Sequence, residues 1–274
     1  MSRLCYINGE ILPASKAVIG ISDLALQRGY GVFDFARTNH RRLFHFDDHL
    51  QRLRLSASEL HLKLPFPEEE ITSIAEHLIQ ESDLDNPAIR LILTGGYSSA
   101  PVYQNPNFII ILEELSTYPA AIYAEGVELI TVEYQRELPH VKSLNYLNSI
   151  RLAPLIREKD AFDILYHSEC GITECPRSNF FVFQDNRLVT PSDYILSGIT
   201  RKIVLEFASA HFPVEVRQID PGELTAIDEA FVTSTSKGVL PVTAIDAQPV
   251  GSGRVGDRTM TIMRLFNEYT ASYK

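Results

Sequence analysis

Five short stretches of this chain carry side chains whose types and spacing suit chemistry on a small anionic molecule. Lys142 lies in ELPHVKSLNYLNS, beside Val141 and at the predicted start of a helix. A lysine that attacks a carbonyl carbon must be available as the free amine, which burial and a helix N-terminus favour by disfavouring the charged form. Glu174, in HSECGITECPRSNFFVF between two predicted strands, can pair with a protonated ring nitrogen, as an electron-sink pyridine cofactor requires. Ser197-Gly198-Ile199-Thr200 sits at a predicted helix start, where free N–H groups and the helix dipole favour an anion. Thr233-Ser234-Thr235-Ser236-Lys237-Gly238 ends a predicted strand in a run of hydroxyl donors, and Arg52 lies near the edge of the leucine stripe of its helix. Read singly, each has a plain alternative: surface lysine, turn carboxylate, N-cap, polar loop, solvated helix charge. Three potential phosphate donors in one acidic chain are less easily dismissed.

The acidity is clear. Against 25 Lys+Arg stand 35 Asp+Glu, a formal net charge of −10 over 274 residues. Nucleic-acid binding relies on cations neutralising phosphates, so nucleic acid and an anionic membrane surface are excluded as main partners; a local basic pocket is not. The N-terminus MSRLCYINGEILPASK has no apolar core or cleavage pattern of a secretory signal, and the longest aliphatic block, Phe108 to Leu112, is too short to span a bilayer. Cys5, Cys170 and Cys175 show no zinc-like pairing, so no metal site is expected. The expectation is a soluble, reduced, cytoplasmic protein.

The elements that must position these residues alternate. RLCYINGEIL reads as a hairpin around Asn8-Gly9. Helices are predicted in DDHLQRLRLSASELHL and EEEITSIAEHLIQES, and strands in AIRLILT and NFIIILEEL. STYPAAIYAEG, containing Pro and ending in Gly, reads as a connection between domains. Beyond it come a strand in VELITVEY, a mostly helical KSLNYLNSIRLAPLIREK, strands in FDILYHS and SNFFVFQDNRLVTP, a helix in SGITRKIVLEFASAHF, strands in VEVRQI and AIDEAFVTS, and a C-terminal helix. The expected organisation is a small α+β domain over 1–116, a linker over 117–125 and a larger α/β domain over 126–274 that carries Lys142.

The order and separation of HLQRL, VKSLNYLN, GITECPRSNFFVF, SGITRK and FVTSTSKGVLPV resemble the fold-type IV (class IV) aminotransferase family, which uses pyridoxal phosphate. The resemblance runs from INGE at residue 7 to VGDRTM at residue 255 and is strongest from residue 141 onward. It implies an α+β, two-domain architecture with the active site between the domains. By position it implies that Lys142 holds the cofactor as a Schiff base and later moves a proton. Glu174 matches the partner of the pyridine nitrogen. Arg52, Ile199, Thr200 and Thr235 match the phosphate cup, with Ser236 an extra donor. Tyr146 falls near the cofactor's phenolic oxygen, and Asn179 ties the strand to the cofactor wall.

KSLN, GITRK and VTSTS are most similar to D-amino-acid aminotransferases, which implies transfer between a D-amino acid such as D-alanine or D-glutamate and a 2-keto acid. That branch holds the substrate carboxylate with an Arg-x-His pair, whereas GGYSSAPVYQNP has neither residue. The family's Asp-Arg-Gly and Gly-Asp-Gly turn is replaced by Asp23-Leu24-Ala25-Leu26-Gln27-Arg28-Gly29-Tyr30-Gly31. A buried carboxylate needs a partner, so Arg28, at the Gly turn, and Arg90, inside an apolar strand, are expected to bind it, assisted by Lys237. The resemblance also implies a homodimer with active sites near the interface, where one arginine can come from the neighbouring chain. A branched-chain L-amino-acid aminotransferase, with Phe33, Phe35 and Val102 lining its pocket, an aminodeoxychorismate lyase and a non-catalytic binding protein are the alternatives.

Overall fold

The computed structural model describes residues 4–99, 102, 103 and 105–273. The chain divides into two compact units: Met1–Ser116 with Val141–Asn145 and Tyr273–Lys274, and Thr117–His140 with Tyr146–Ser272.

In the first unit, β1 (Leu4–Ile7) and β2 (Glu10–Pro13) form the expected hairpin. Asn8 and Gly9 both take positive φ, 49° and 103°, as a tight two-residue turn requires. There follow α1 (Leu24–Arg28), β3 (Gly31–Asn39), β4 (Arg42–Leu43), α2 (Phe46–Glu59), α3 (Glu68–Gln80) and β5 (Pro87–Thr94). The short pair β6 (Ser98–Ser99) and β7 (Val102–Tyr103) precedes β8 (Phe108–Glu114). The sheet order is β2-β1-β8-β5-β3-β4. Strand periodicity sends Val32, Ala36, Ile89 and Leu91 to the face that Leu50, Leu53, Ala57, Ile71, Ala75 and Leu78 cover, in one core.

The second unit opens with α4 (Ala120–Glu125) and β9 (Val127–Glu133), followed by α5 (Leu147–Arg151), α6 (Ala153–Glu158) and β10 (Asp163–Ser168). Next come β11 (Gly171–Ile172), β12 (Glu174–Cys175), β13 (Ser178–Gln184), β14 (Arg187–Thr190) and α7 (Ile199–Ala208). The chain ends through β15 (Val214–Val216), β16 (Glu229–Ser234), β17 (Gly238–Ile245), β18 (Gln248–Pro249) and α8 (Asp257–Ser272). The main path is β11-β10-β9-β17-β16-β13-β14-β15, with β12 on β13 and β18 on β17. β13 is buried on both faces. Phe180 and Val182 enter one core, while Phe181 stacks on its cross-strand partner Phe231 with centroids 4.8 Å apart.

Three expectations need correction. The segment read as a linker holds α4, whose Tyr123 hydroxyl donates to the carbonyl of Lys237, so it is part of the second unit. KSLNYLNSIRLAPLIREK is helical only from Leu147 and breaks at Leu152, because Pro154 lacks the N–H that would continue α5. Val141–Asn145 belongs to the first unit, so Lys142 is not carried by the larger unit.

Candidate active site

Lys142 lies on an extended segment added to the edge of β3. Phe33 N–H donates to the Lys142 carbonyl and Leu144 N–H to that of Gly31, both at 3.0 Å. Val141, with no exposed surface, anchors the segment in the core. Lys142 N–H donates to Ser56 Oγ on α2 at 3.1 Å, and its Nζ lies 4.7 Å from the Phe33 ring centroid. The Arg90 guanidinium meets the same ring at 5.6 Å and Phe35 at 5.0 Å. Strand pairing explains this: Phe33 and Phe35 share a face of β3, and Arg90 is the cross-strand partner of Phe35. Arg90 Nε and Nη2 hold Glu113 at 2.5 and 3.0 Å, one strand over.

On the opposite face of β3, Asp34 is fully buried and accepts from Arg52 Nε at 2.9 Å and Nη2 at 2.8 Å. His49 Nδ1 lies 2.7 Å from the same carboxylate. Arg52 and His49 are spaced one helical turn apart on α2, which brings both to the sheet. Burial alone would raise the Asp34 carboxyl, but Arg52 and His49 more than reverse it and hold the group well below the usual carboxylate range. Burial pulls His49 down, against the attraction of Asp34; the ring is therefore neutral near pH 7.

Glu174 of the second unit is buried, 3% exposed. Arg136 Nη1 donates to its Oε1 at 2.6 Å; Leu196 N–H and Asn179 Nδ2 donate to Oε2 at 3.0 and 3.2 Å. Asn179 Nδ2 also holds the Leu196 carbonyl at 2.8 Å. α7 starts on Gly198 without a side-chain cap, with Ile199 and Thr200 as its first residues. A Cβ on Gly198 would lie 1.9 Å from Asn179 Oδ1, so only glycine lets the helix start approach that strand. Thr235 and Ser236, both half-buried, turn between β16 and β17, and Tyr146 directly precedes α5.

The sequence candidates thus fall into two sets. The first unit brings Arg52, Lys142 and Arg90 onto adjoining strands and a helix; Arg28 lies exposed at the end of α1, its Nη1 on the Gln27 carbonyl. The second unit holds Tyr146, Glu174, Ile199, Thr200, Thr235, Ser236 and Lys237. Lys237 is 4% exposed, and its Nζ donates to Ser178 Oγ at 3.0 Å and stands 3.8 Å from Asp163. Burial lowers its basicity despite Asp163, and its bond to Ser178 ties the loop to the sheet. The Val102 side chain lies outside the described residues. Arg136, Asp34 and His49 are not among the sequence candidates. Asp34 and His49 carry one signal, two ionisable residues on apolar-patterned elements next to Arg52.

No helix among the described residues is long and apolar enough to cross a membrane. The structure is similar to a T.th. branched-chain amino acid aminotransferase with pyridoxamine 5'-phosphate, at TM-score 0.93 and 24% identity over 100% of this chain and 96% of that one. A branched-chain aminotransferase of Thermoproteus uzoniensis with norvaline gives 0.90 and 24%, covering 99% and 95%. In sequence the chain is 30% identical to a D-alanine aminotransferase of Bacillus licheniformis over 93% of each chain. It is 29% identical to one of Listeria monocytogenes, over 96% of this chain and 94% of the other. The family model for amino-transferase class IV matches residues 31–245. The chain belongs to the class IV aminotransferases.

Proposed function

We propose that this enzyme is a D-amino-acid transaminase, moving the amino group between a D-amino acid such as D-alanine or D-glutamate and a 2-keto acid, and that it works as a cytoplasmic homodimer. The near-full-length similarity to D-alanine aminotransferases carries the stereochemical part. The solved branched-chain enzymes, at 24% identity or less, share the fold.

Pyridoxal 5'-phosphate is the cofactor of this family, and the residues present fit it. The uncapped start of α7 packs against Asn179, Thr233 Oγ1 is buried with no partner among the described residues, and Glu174 is a buried carboxylate. When bound, the cofactor supplies an aldehyde that takes up the amino group and a ring that accepts the electron pair left by the α-proton. Lys142 Nζ would be its covalent anchor and the base that moves the α-proton. Glu174 accepts a hydrogen bond from the ring nitrogen. Arg52, the first N–H groups of α7 at Ile199 and Thr200, and the hydroxyls of Thr235 and Ser236 hold the phosphate, while Tyr146 bonds the phenolic oxygen. Arg90 binds the substrate carboxylate; its approach to the ring that Lys142 also meets supports this. Arg28 completes the carboxylate site, in its own or the neighbouring subunit.

Incubating the holoenzyme with 2-oxoglutarate and, in separate reactions, D-alanine or L-leucine, and resolving the products by chiral chromatography, tests the reading. D-glutamate and pyruvate are expected. L-glutamate formed from L-leucine, with no product from D-alanine, would replace it by branched-chain L-transamination.

A further inference from the structure

Arg136 lies outside every motif that carries the family resemblance, six residues before Lys142 in the chain. Its guanidinium donates to Glu174 Oε1 at 2.6 Å and to the carbonyl of Pro139 at 3.0 Å. Its side chain is 18% exposed and that of Glu174 5%. The Leu196 N–H and the Asn179 amide, which donate to the other carboxylate oxygen, are neutral. Further ionisable groups act on Glu174 from a greater distance or along the chain. Arg201 on α7 contributes its field, and the adjacent Cys175 thiol is pushed well above its usual range by burial and so stays neutral. Arg136 thus sets a cation in direct contact with the carboxylate.

That contact bears on where a proton sits. A carboxyl removed from water favours its neutral form unless a cation or donors stabilise the anion. A neutral Glu174 would donate its O–H to a pyridine nitrogen and leave the ring uncharged, a poor acceptor of electrons. An ionised Glu174 accepts a hydrogen bond from a protonated ring nitrogen instead. We infer that Arg136 is a positioning residue that keeps Glu174 ionised and oriented, and through it keeps the proton on the cofactor's ring nitrogen. The inference rests on the assignment of Glu174 to that nitrogen.

Nitrogen-15 NMR of the holoenzyme loaded with ring-labelled pyridoxal phosphate reads this proton directly, without turnover. Wild type and Arg136→Lys are expected at the pyridinium position, and Arg136→Met and Glu174→Gln at the neutral-pyridine position. kcat of Arg136→Met should fall about a hundredfold with KM little changed, the scale of losing one electrostatic contact to the reacting system. An Arg136→Met enzyme that keeps the pyridinium signal overturns the inference and leaves Arg136 a structural tie to Pro139. A Glu174→Gln enzyme that keeps it overturns the inference at its base, the Glu174 assignment itself. If Arg136→Met does not fold, Arg136→Lys decides the question by titration. Loss of its pyridinium signal at lower pH than in wild type supports the role, and a wild-type titration refutes it.

Discussion

Arg52 in the first unit and Arg136 in the second both end against a buried carboxylate, but the two clusters are built in opposite senses. Asp34 receives two bonds from one guanidinium and a contact from His49 on the same helix face, and a further bond from the N–H of Phe35 on its own strand. The carboxylate there serves the arginine, fixing its fork. Glu174 receives bonds from the Arg136 guanidinium, the Asn179 amide and the Leu196 N–H, which come from separate parts of the chain, so the donors there serve the carboxylate. Buried ion pairs are poor sources of stability, since desolvation consumes most of the attraction.

The comparison breaks most completely at Lys142, the covalent anchor of the proposed cofactor site. Lys142→Ala should abolish the coloured cofactor band and reduce transamination by about 10⁴-fold or more, as removal of a covalent catalytic group does. Absorbance and single-turnover kinetics read both effects.

The next contrast separates the clusters themselves. Asp34→Asn leaves Arg52 buried without its counter-charge and should cost about 3–5 kcal/mol of unfolding free energy, measured by denaturant titration, together with weaker cofactor retention. Glu174→Gln should leave folding closer to wild type while its ring-proton signature changes. Equal stability losses would erase the distinction.

Arg90 probes the edge of the first cluster. Arg90→Leu should raise the substrate KM about tenfold, near the worth of one charge-assisted bond, with cofactor absorbance intact. Its pair with Glu113 is about a third exposed on each side, so the stability change should stay within about 1 kcal/mol. Unchanged kinetics would remove Arg90 from the substrate site.

The smallest effect is a slope. His49 titrates lower in the folded chain than its ordinary 6.5, so below that pH the unfolded chain binds the extra proton and stability falls as pH falls. Asp34, held low, adds a further loss at more acid pH, once the unfolded carboxyl protonates near 3.8. Thermal unfolding from pH 7 to pH 5 should show the His49 slope, and His49→Asn should flatten it.

What the sequence makes legible follows the range over which each feature acts. The Asn8-Gly9 turn, the faces of α2 and α3 and the all-buried SNFFVF strand are local patterns, and all three are present. β17 escapes a sequence reading because Pro241 argues against an interior strand; the chain accommodates it opposite Phe231, with pairing to β9 starting at Val242. Lys142 reads as a helix start, but the β3 edge captures residues 142–144 in extended form. Arg136 and Glu174 are separated by 38 residues, and nothing in QRELP marks the arginine as the partner of a distant carboxylate. The surroundings of Lys237 are hidden for a similar reason. Its loop reads as polar, while its ammonium turns inward to Ser178 and Asp163, both remote in sequence.

The most direct test is the half-reaction. The coloured holoenzyme is titrated in turn with D-alanine, D-glutamate, L-leucine and L-glutamate, and the loss of its long-wavelength band is followed. A D-amino-acid transaminase loses that band with D-alanine or D-glutamate and retains it with both L-amino acids. Conversion by L-leucine, with neither D-amino acid reacting, contradicts the assignment.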